Sequence, residues 1–223
     1  MASGRLRVRW RGPFRRVART LARILQGLER ISRTFLRRLF CRSDYRRWTN
    51  PGSLEVWWDS RTEQLSRLIP AHTRVIEFGA GRRKLETFLD RSCTYVPSDL
   101  VDRGPGTIIC DLNKRPLPDL QHLRADVAVF AGVLEYIRDL ASMLDWLSGQ
   151  VSICVASYAY ARLSGNLFQR MGERVSRAYY GYMNCYTEDD LVRLFRKNGF
   201  VCTSRDTWTS QRIFLFVNQR HTS

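Results

Sequence analysis

A short apolar segment that runs into a glycine-rich turn constrains the fold of this chain most strongly. Residues 74–81 read RVIEFGAG, and a helical pattern follows at 82–89. Glycine has no Cβ, so the backbone at Gly79 and Gly81 can turn sharply and lie close to a ligand. Strand, glycine turn and helix in this order are typical of a parallel α/β sheet, which holds nucleotide-type ligands at the carboxyl ends of its strands.

Strand and helix signals alternate through the rest of the chain. We expect strands at residues 74–78, 94–97, 107–110, 127–130, 151–156, 200–203 and 213–217. We expect helices at residues 54–68, 82–89, 137–147 and 191–197. The last two strands can pair as a hairpin through residues 204–211. This alternation predicts an α/β fold with a doubly wound, mostly parallel seven-stranded sheet.

The net charge of +16 is concentrated in an N-terminal arm. Residues 1–47 contain 15 arginines and two acids, and the remaining chain has a charge of only +3. From Phe14 onward, apolar residues recur every three or four positions between arginines, which predicts a basic amphipathic helix. Such an arm can lie on an anionic membrane surface, bind a partner, pack on the domain, or act as an organellar transit peptide. We therefore divide the chain into a basic arm at 1–49 and a domain at 50–223.

Cysteine and histidine usage excludes several classes of protein. The six cysteines are scattered without a Cys-x-x-Cys pair, and there are three histidines. This pattern predicts no metal site and no disulfide scaffold, and reduced cysteines indicate a cytosolic protein. We see no apolar run of the ~18 residues that suggest a membrane span, and no secretory signal. The predicted location is cytoplasmic, or peripheral at a membrane if the arm binds lipid.

Residues 157–186 form a segment too long for a plain connection between a strand and a helix. We interpret it as an insertion on the substrate side of the domain. It is rich in tyrosine and arginine, which suit stacking and anion recognition. The alternative is a helical cover over the edge of the sheet. Leu163, Leu167 and Met171 recur every four residues and predict a helix there in either case.

Three carboxylates follow successive predicted strands. They are Glu77, Asp99 and Asp111, and Asp99 lies 18 residues past Gly81, near the spacing at which an acid meets ribose hydroxyls. Lys84 stands where the dinucleotide fingerprint has its third glycine, which argues against a nicotinamide-dependent oxidoreductase. An acid so close to the turn also suits a cationic or zwitterionic ligand better than a pyrophosphate.

With these motifs, the chain resembles the class I S-adenosylmethionine-dependent methyltransferases of the small-molecule type over about residues 55–220. VIEFGAG at 75–81 is similar to the first motif of that family, YVPSDL at 95–100 to the second, and CDLNKRPLP at 110–118 to the third. ADVAVFAGVLEYIRDL at 125–140 and TEDDLVRLFRKNGF at 187–200 resemble the fourth strand and the penultimate helix. The resemblance implies a Rossmann-like methyltransferase fold and S-adenosylmethionine as the cofactor.

The resemblance also implies which residues hold the methyl donor. These are Glu77, Phe78, Gly79, Ala80, Gly81, Asp99, Leu100, Asp111, Leu112, Ala131, Gly132 and Val133. Glu77 would lie near the methionine end, Asp99 would accept from the ribose hydroxyls, and Asp111 would accept from the adenine amino group. Family members commonly have a glycine where Arg83 stands and a histidine where Tyr136 stands. The second departure removes a common candidate base.

The expected activity is methyl transfer to a small-molecule, glycan or lipid-linked acceptor. A sulfonium methyl is already electrophilic, so holding donor and acceptor in line supplies much of the catalysis. Candidate bases near the expected mouth are Glu135, Tyr136 and Tyr158, although each also suits a structural role. The alternative function is a non-catalytic protein that binds the donor and docks to a membrane or complex through the 1–47 arm. Nucleic acid is not a favoured substrate, because the domain itself lacks a strong basic excess.

Overall fold

The computed structural model describes residues 12–163 and 165–221. Within these ranges, seven strands form one sheet: β1 Arg74–Phe78, β2 Thr94–Asp99, β3 Ile108–Ile109, β4 Val127–Ala131, β5 Ile153–Tyr158, β6 Phe200–Trp208 and β7 Gln211–Asn218. Their spatial order is β3-β2-β1-β4-β5-β7-β6. Residues 1–11 of the predicted arm, Ser164 of the predicted insertion, and residues 222 and 223 lie outside the described residues.

Seven α-helices accompany the sheet in the described part of the chain. They are α1 Gly12–Phe40, α2 Tyr45–Trp48, α3 Asp59–Ser66, α4 Lys84–Phe88, α5 Leu140–Ser148, α6 Leu167–Tyr179 and α7 Glu188–Lys197. Two of them begin with reciprocal capping boxes, Asn166 with Gln169 before α6 and Thr187 with Asp190 before α7. Each box satisfies two backbone N–H groups that the first helical turn leaves without partners. Both helices therefore start where the sequence places a capping residue.

The predicted α/β fold with a mostly parallel seven-stranded sheet is confirmed. Strands β1 to β5 are parallel, and β7 inserts antiparallel between β5 and β6. Phe78 on β1 is level with Phe130 on β4, and their rings stack with centroids 5.0 Å apart. Because β1 and β4 are adjacent and parallel, the segments that leave their carboxyl ends meet at one edge of the sheet.

Side chains alternate between the two faces of the sheet and build a core on each. On β4, Ala128 and Phe130 join the layer under α5 and α7, whereas Val127 and Val129 join the layer under α3 and α4. All four are fully buried. This alternation follows from the two-residue period of a strand. The buried layers fix the strand ends that border the candidate site.

Several predicted boundaries are wrong. The predicted helix at 54–68 is a 3₁₀ turn over Val56–Trp58 followed by α3, which ends at Ser66. The turn places Trp57 flat against Trp208, with ring centroids 4.9 Å apart. Most of the predicted 204–211 connection is strand, so that Thr209 and Ser210 alone join β6 to β7. The Trp57–Trp208 contact thus overrides the helical pattern at 54–58, and the long β6–β7 hairpin overrides the loop pattern at 204–211.

The predicted basic N-terminal helix is present as α1, which packs against α6. Arg38 at its C-terminal end donates two hydrogen bonds to the carbonyl of Tyr182, at 2.6 and 3.1 Å. The side chain of Arg138 in turn donates to the carbonyl of Arg38 at 3.1 Å. These contacts attach the end of α1 to the domain. No helix in the described part of the chain is both long and apolar enough to cross a membrane.

Candidate active site

A cavity of about 750 Å³ opens at the carboxyl ends of β1, β2 and β4. This volume is in the range of small-molecule and cofactor sites, roughly 300–1,000 Å³. Besides the strand ends, four stretches contribute lining residues, and they lie within 37–48, 54–62, 159–183 and 208–211. Segments that are distant in sequence therefore converge on one site.

The glycine turn after β1 approaches its neighbour too closely for any other residue. Gly79 has a φ of +72°, and a Cβ there would lie 2.5 Å from Cγ2 of Val133. Gly81 has a φ of +50°, and its N–H donates a 2.8 Å hydrogen bond to Oδ2 of Asp99. Left-handed backbone of this kind favours glycine. The turn thus brings β1, β2 and the exit of β4 together at the cavity wall.

Asp99 ends β2 with its carboxylate almost fully buried at the cavity. Its Oδ2 lies 3.1 Å from Nε of Arg103, and its Oδ1 lies 3.3 Å from a terminal nitrogen of the same guanidinium. That nitrogen also donates to the carbonyl of Trp48 at 2.5 Å. Each carboxylate oxygen has two lone pairs, so Asp99 keeps acceptor capacity for a ligand hydroxyl.

Glu77 is a buried acid with one identified hydrogen-bond donor. The hydroxyl of Tyr95 donates to its Oε2 at 2.5 Å. Burial raises the pKa of Glu77 to about 8, although the Tyr95 hydrogen bond opposes that shift. Desolvation penalises the ionised form of a carboxyl group. Without a ligand, Glu77 is therefore mostly protonated at neutral pH, and a cation beside it would favour the carboxylate.

Ten of the twelve predicted donor-site residues line this cavity. They are Glu77, Gly79, Ala80, Gly81, Asp99, Leu100, Leu112, Ala131, Gly132 and Val133. Phe78 is instead buried in the core against Phe130. Asp111 is not part of the lining: its Oδ1 accepts from the Ser43 hydroxyl at 2.6 Å and its Oδ2 from the Tyr45 hydroxyl at 2.9 Å. Asp111 is thus held by Ser43 and Tyr45 behind the lining, and its contact with adenine stays a prediction.

Two of the three candidate bases lie at the cavity. Glu135 is buried, its Oε1 accepts from the N–H of Ala159 at 2.6 Å, and its Oε2 has no hydrogen-bond partner within residues 12–163 and 165–221. Burial raises the pKa of Glu135, which the nearby Arg61 and Arg177 oppose. Tyr136 packs edge-on against Trp48, and burial raises its pKa to about 12.

Tyr158 is the candidate base that the structure does not bring to the cavity. Its fully buried hydroxyl donates to Oδ1 of Asn184 at 2.6 Å. The same hydroxyl accepts from Arg177 and from the N–H of Tyr186, both at 3.1 Å. Burial raises its pKa. Its three hydrogen bonds connect β5 to α6 and to the segment after it, so its contacts are structural.

Arg61 is a cavity residue that the sequence did not reveal. It is 5% exposed, and its guanidinium lies between the rings of Trp58 and Trp208, 5.6 and 5.4 Å from their centroids. One terminal nitrogen donates to the carbonyl of Ala131 at 2.9 Å. A Cβ on Gly132 would lie 2.3 Å from this guanidinium, so Gly132 leaves room for it. Because the chain contains many arginines, the sequence does not mark Arg61 as a cavity residue.

Residues at the end of the arm also line the cavity. Arg37, Arg42, Ser43, Asp44, Arg47 and Trp48 all contribute to the wall. The guanidinium of Arg47 stacks 4.4 Å from the ring centroid of Trp48 and donates to the carbonyl of Tyr180 at 2.8 Å. This part of the cavity wall is therefore rich in arginine and aromatic rings, and it meets the carboxylates of the glycine turn where Arg103 joins Trp48 to Asp99.

Comparisons with known proteins agree with this fold. A family model described as "Methyltransferase domain" matches residues 45–205. The chain therefore belongs to this methyltransferase family, and the resemblance noted from its motifs is confirmed. No curated protein sequence matches it.

Several solved structures share the fold. One is 1,6-didemethyltoxoflavin-N1-methyltransferase from Burkholderia thailandensis, with 1,6-didemethyltoxoflavin and S-adenosylhomocysteine bound; it is 18% identical, with 74% of this chain and 81% of that chain covered and a TM-score of 0.53. A protein from Nostoc punctiforme assigned as an O-methyltransferase is 9% identical over 87% of this chain and 71% of its own, with a TM-score of 0.63. The mitomycin 7-O-methyltransferase MmcR is 13% identical over 87% and 68%, with a TM-score of 0.59. At these identities the likeness shows the fold.

Proposed function

We propose that this protein transfers a methyl group from S-adenosylmethionine to a small-molecule, glycan or lipid-linked acceptor. The observation that carries the proposal is the convergence of Glu77, Asp99 and the glycine turn on one wall of the cavity. Membership of the methyltransferase family and a fold shared with a structure that contains S-adenosylhomocysteine support it. When bound, the donor supplies an electrophilic methyl group on a sulfonium.

The donor end of the site is assigned from the chemistry of its lining residues. Glu77 holds the cationic methionine end, since a carboxylate favours a nearby ammonium or sulfonium. Asp99 accepts from ribose hydroxyls in exchange for part of its contact with Arg103. The apolar side chains of Leu100 and Leu112 flank the adenine ring. Ala131, Gly132 and Val133 border the point where the methyl group meets the acceptor.

Glu135 is the group that we assign to the acceptor's proton. Its Oε2 has no hydrogen-bond partner among the described residues, and its Oε1 is held by the N–H of Ala159. When it is ionised, a carboxylate held in this way can take a proton from a hydroxyl or an amine during attack, and its raised pKa makes it the stronger base. Tyr136, with its pKa raised to about 12, is assigned to the wall that packs on the acceptor.

The proposed site of action is cytoplasmic, with peripheral contact at a membrane. Support comes from the six cysteines, all of which are free thiols in the structure. Free thiols persist in a reducing compartment.

A second candidate function is donor binding without turnover. The observation that favours it is that Asp99 is already paired with Arg103, and Asp111 with Ser43 and Tyr45. A protein in which two of these acids already have internal partners can retain the fold while its ligand site is weakened.

Calorimetry and a transfer assay together separate these functions. We expect S-adenosylmethionine and S-adenosylhomocysteine both to bind the full chain with one-to-one stoichiometry. We also expect radiolabelled methyl transfer to at least one member of a panel of phenols, carboxylates, glycans and lipid-linked sugars. Binding of both nucleosides with no transfer to any acceptor would favour the non-catalytic function. The absence of heat with either nucleoside would refute both.

A further inference from the structure

Helix α1 leaves a row of large apolar side chains uncovered. The row consists of Val17, Leu21, Ile24, Leu25, Leu28, Phe35, Leu36 and Leu39, all more than half exposed. The side that faces the domain consists of other residues, among them Gly27, Ile31, Thr34 and Arg38. An extended apolar surface on a folded protein marks an interaction site. The row on α1 is thus distinct from the contacts that hold the helix in place.

Helix α6 carries a second uncovered row. Its members are Leu167, Phe168, Met171, Val175 and Tyr179, and Phe168 alone is 82% exposed. The helix is well formed, because Asn166 and Gln169 close a capping box at its start. The sequence predicts an insertion over the substrate or a cover for the sheet edge in this region. Neither interpretation explains why these apolar side chains are exposed.

The two helices that carry these rows contact each other, and Tyr179 of the α6 row lies at their contact. A Cβ built on Gly27 would lie 3.6 Å from the ring of Tyr179. The guanidinium of Arg30 lies 5.3 Å from the centroid of the same ring. Arg38 attaches the other end of α1 to the carbonyl of Tyr182, just beyond α6. The pair therefore forms a fixed two-helix surface, which we call the α1–α6 face.

The charge of the α1–α6 face is strongly positive. By sequence, α1 contains eight arginines and one glutamate, and α6 contains three arginines and one glutamate; of these arginines, Arg38 faces the domain and Arg177 is buried. Apolar residues flanked by arginines, with almost no acids, are characteristic of helices that lie in the headgroup region of an anionic bilayer. A second copy of this chain is a poor occupant, because two surfaces of a protein with net charge +16 would repel each other. A nucleic acid would neutralise the arginines but leave the apolar rows in water.

We propose that the α1–α6 face docks on an anionic phospholipid bilayer. The apolar rows enter the acyl boundary while the arginines contact the headgroups. Docking also orients the cavity, because Glu173, Ser176 and Arg177 of α6 and Arg37 of α1 line its wall. The bilayer thus lies beside two helices that border the cavity. The proposal concerns binding to lipid and does not depend on methyl transfer.

Vesicle flotation of the full chain tests this proposal. We expect the protein to float with vesicles of equimolar phosphatidylcholine and phosphatidylglycerol, and to remain in solution with pure phosphatidylcholine. Added salt should reduce binding, because it screens exposed charges. The double variant Phe168→Ser/Met171→Ser should lower the partition coefficient by roughly tenfold or more, through loss of apolar burial on α6 alone. The matched control is Ile109→Ser, another exposed apolar residue, on the edge strand β3.

Three outcomes would overturn the proposal. Equal flotation of the wild type and the double variant would remove α6 from the docking surface. Concentration-dependent dimerisation that the double variant abolishes, without vesicle binding, would assign the face to a second copy. Binding of single-stranded RNA without vesicle binding would assign it to nucleic acid. Circular dichroism and the calorimetric affinity for S-adenosylhomocysteine, both unchanged in the double variant, show that loss of flotation is not loss of fold or of the donor site.

Discussion

The two ends of the cavity are built in different ways. At the donor end, Glu77 and Asp99 lie on strands of a buried sheet, and the glycine turn joins them through a backbone hydrogen bond. At the other end, which we call the acceptor end, Arg61, Trp48 and Tyr182 come from three segments far apart in sequence. Trp58 lies against both Arg61 and Trp48, and Tyr136 lies against both Trp48 and Tyr182. The sheet thus positions the end that we assign to the donor, and loops and helices shape the end that we assign to the acceptor.

The largest expected effect is a loss of methyl-transfer rate that leaves donor affinity unchanged, and it separates the acceptor end from the donor end. In Glu135→Gln, methyl transfer to the best acceptor of the panel should fall by about 10²- to 10⁴-fold, the range for a lost general base. The affinity for S-adenosylhomocysteine should stay within about twofold, because Glu135 is assigned to the acceptor's proton and contacts no part of the donor in this assignment. Single-turnover kinetics and calorimetry measure the two quantities.

The control for that change is Glu63→Gln, which alters a carboxylate whose salt bridge to Arg67 is exposed. It should leave both rate and affinity as in the wild type. If Glu135→Gln transferred methyl groups at the wild-type rate, the assignment of the base would fail, and positioning alone would explain catalysis.

The next effect acts at the donor end. Asp99→Asn should weaken binding of S-adenosylhomocysteine by roughly 10- to 100-fold, because hydrogen bonds to a charged acceptor contribute about 1.5–3 kcal/mol. Titration calorimetry measures the change, with Asp119→Asn, an exposed acid outside the cavity, as the matched control. An unchanged dissociation constant would mean that Asp99 serves only to hold Arg103 and Gly81.

A smaller effect, a change in donor affinity of about tenfold per pH unit, tests the role of Glu77. Its pKa is about 8 without ligand, so S-adenosylmethionine should bind more tightly as the pH rises from 6 to 7.5 and more Glu77 is ionised. 5′-Methylthioadenosine, which lacks the cationic end, should show no such slope. The binding of S-adenosylmethionine to the Glu77→Gln variant should also be independent of pH over this range. A slope that persists in Glu77→Gln would assign the titration to another group.

The raised pKa of Glu77 also makes the folding stability of the protein fall as pH rises. In the unfolded chain Glu77 ionises with the ordinary glutamate pKa of 4.5, whereas in the folded chain it keeps its proton up to about pH 8. The ligand-free fold should therefore lose stability progressively as pH rises between these values. Glu77→Gln should remove that part of the pH dependence in thermal melts.

The smallest effect on either end is expected for Tyr158→Phe. The change leaves the Arg177 guanidinium and the N–H of Tyr186 without a shared acceptor, which should cost about 1–3 kcal/mol of unfolding free energy. Donor affinity and methyl transfer should stay within about twofold, since Tyr158 does not line the cavity. A large loss of rate with unchanged stability would make Tyr158 a candidate base again.

Much of the donor end could be predicted from sequence, because its signals are local. A strand, two glycines and an acid stand within eight residues at 74–81, and each keeps its predicted place in the structure. Asp111 shows the limit of this reasoning. Its position after β3 followed from the pattern, but its contacts depend on Ser43 and Tyr45, which no local pattern connects to it.

The acceptor end could not be predicted, because its contacts are tertiary. Arg61 becomes part of the site only when α3 packs near β4 and Gly132 leaves room for its guanidinium. The apolar spacing of α1 predicted a helix correctly, but it could not say which side would face α6. In both cases the identity of the neighbour comes from the fold and not from periodicity.

The position of β7 has a practical consequence for anyone who shortens this chain. The segment matched by the methyltransferase family stops at residue 205, yet β7 runs from Gln211 to Asn218 and separates β5 from β6. A fragment cut at that limit would expose the edge of β5 and leave the remainder of β6 without a neighbouring strand. It would be expected to aggregate, and a failed assay on such material would say nothing about the intact protein.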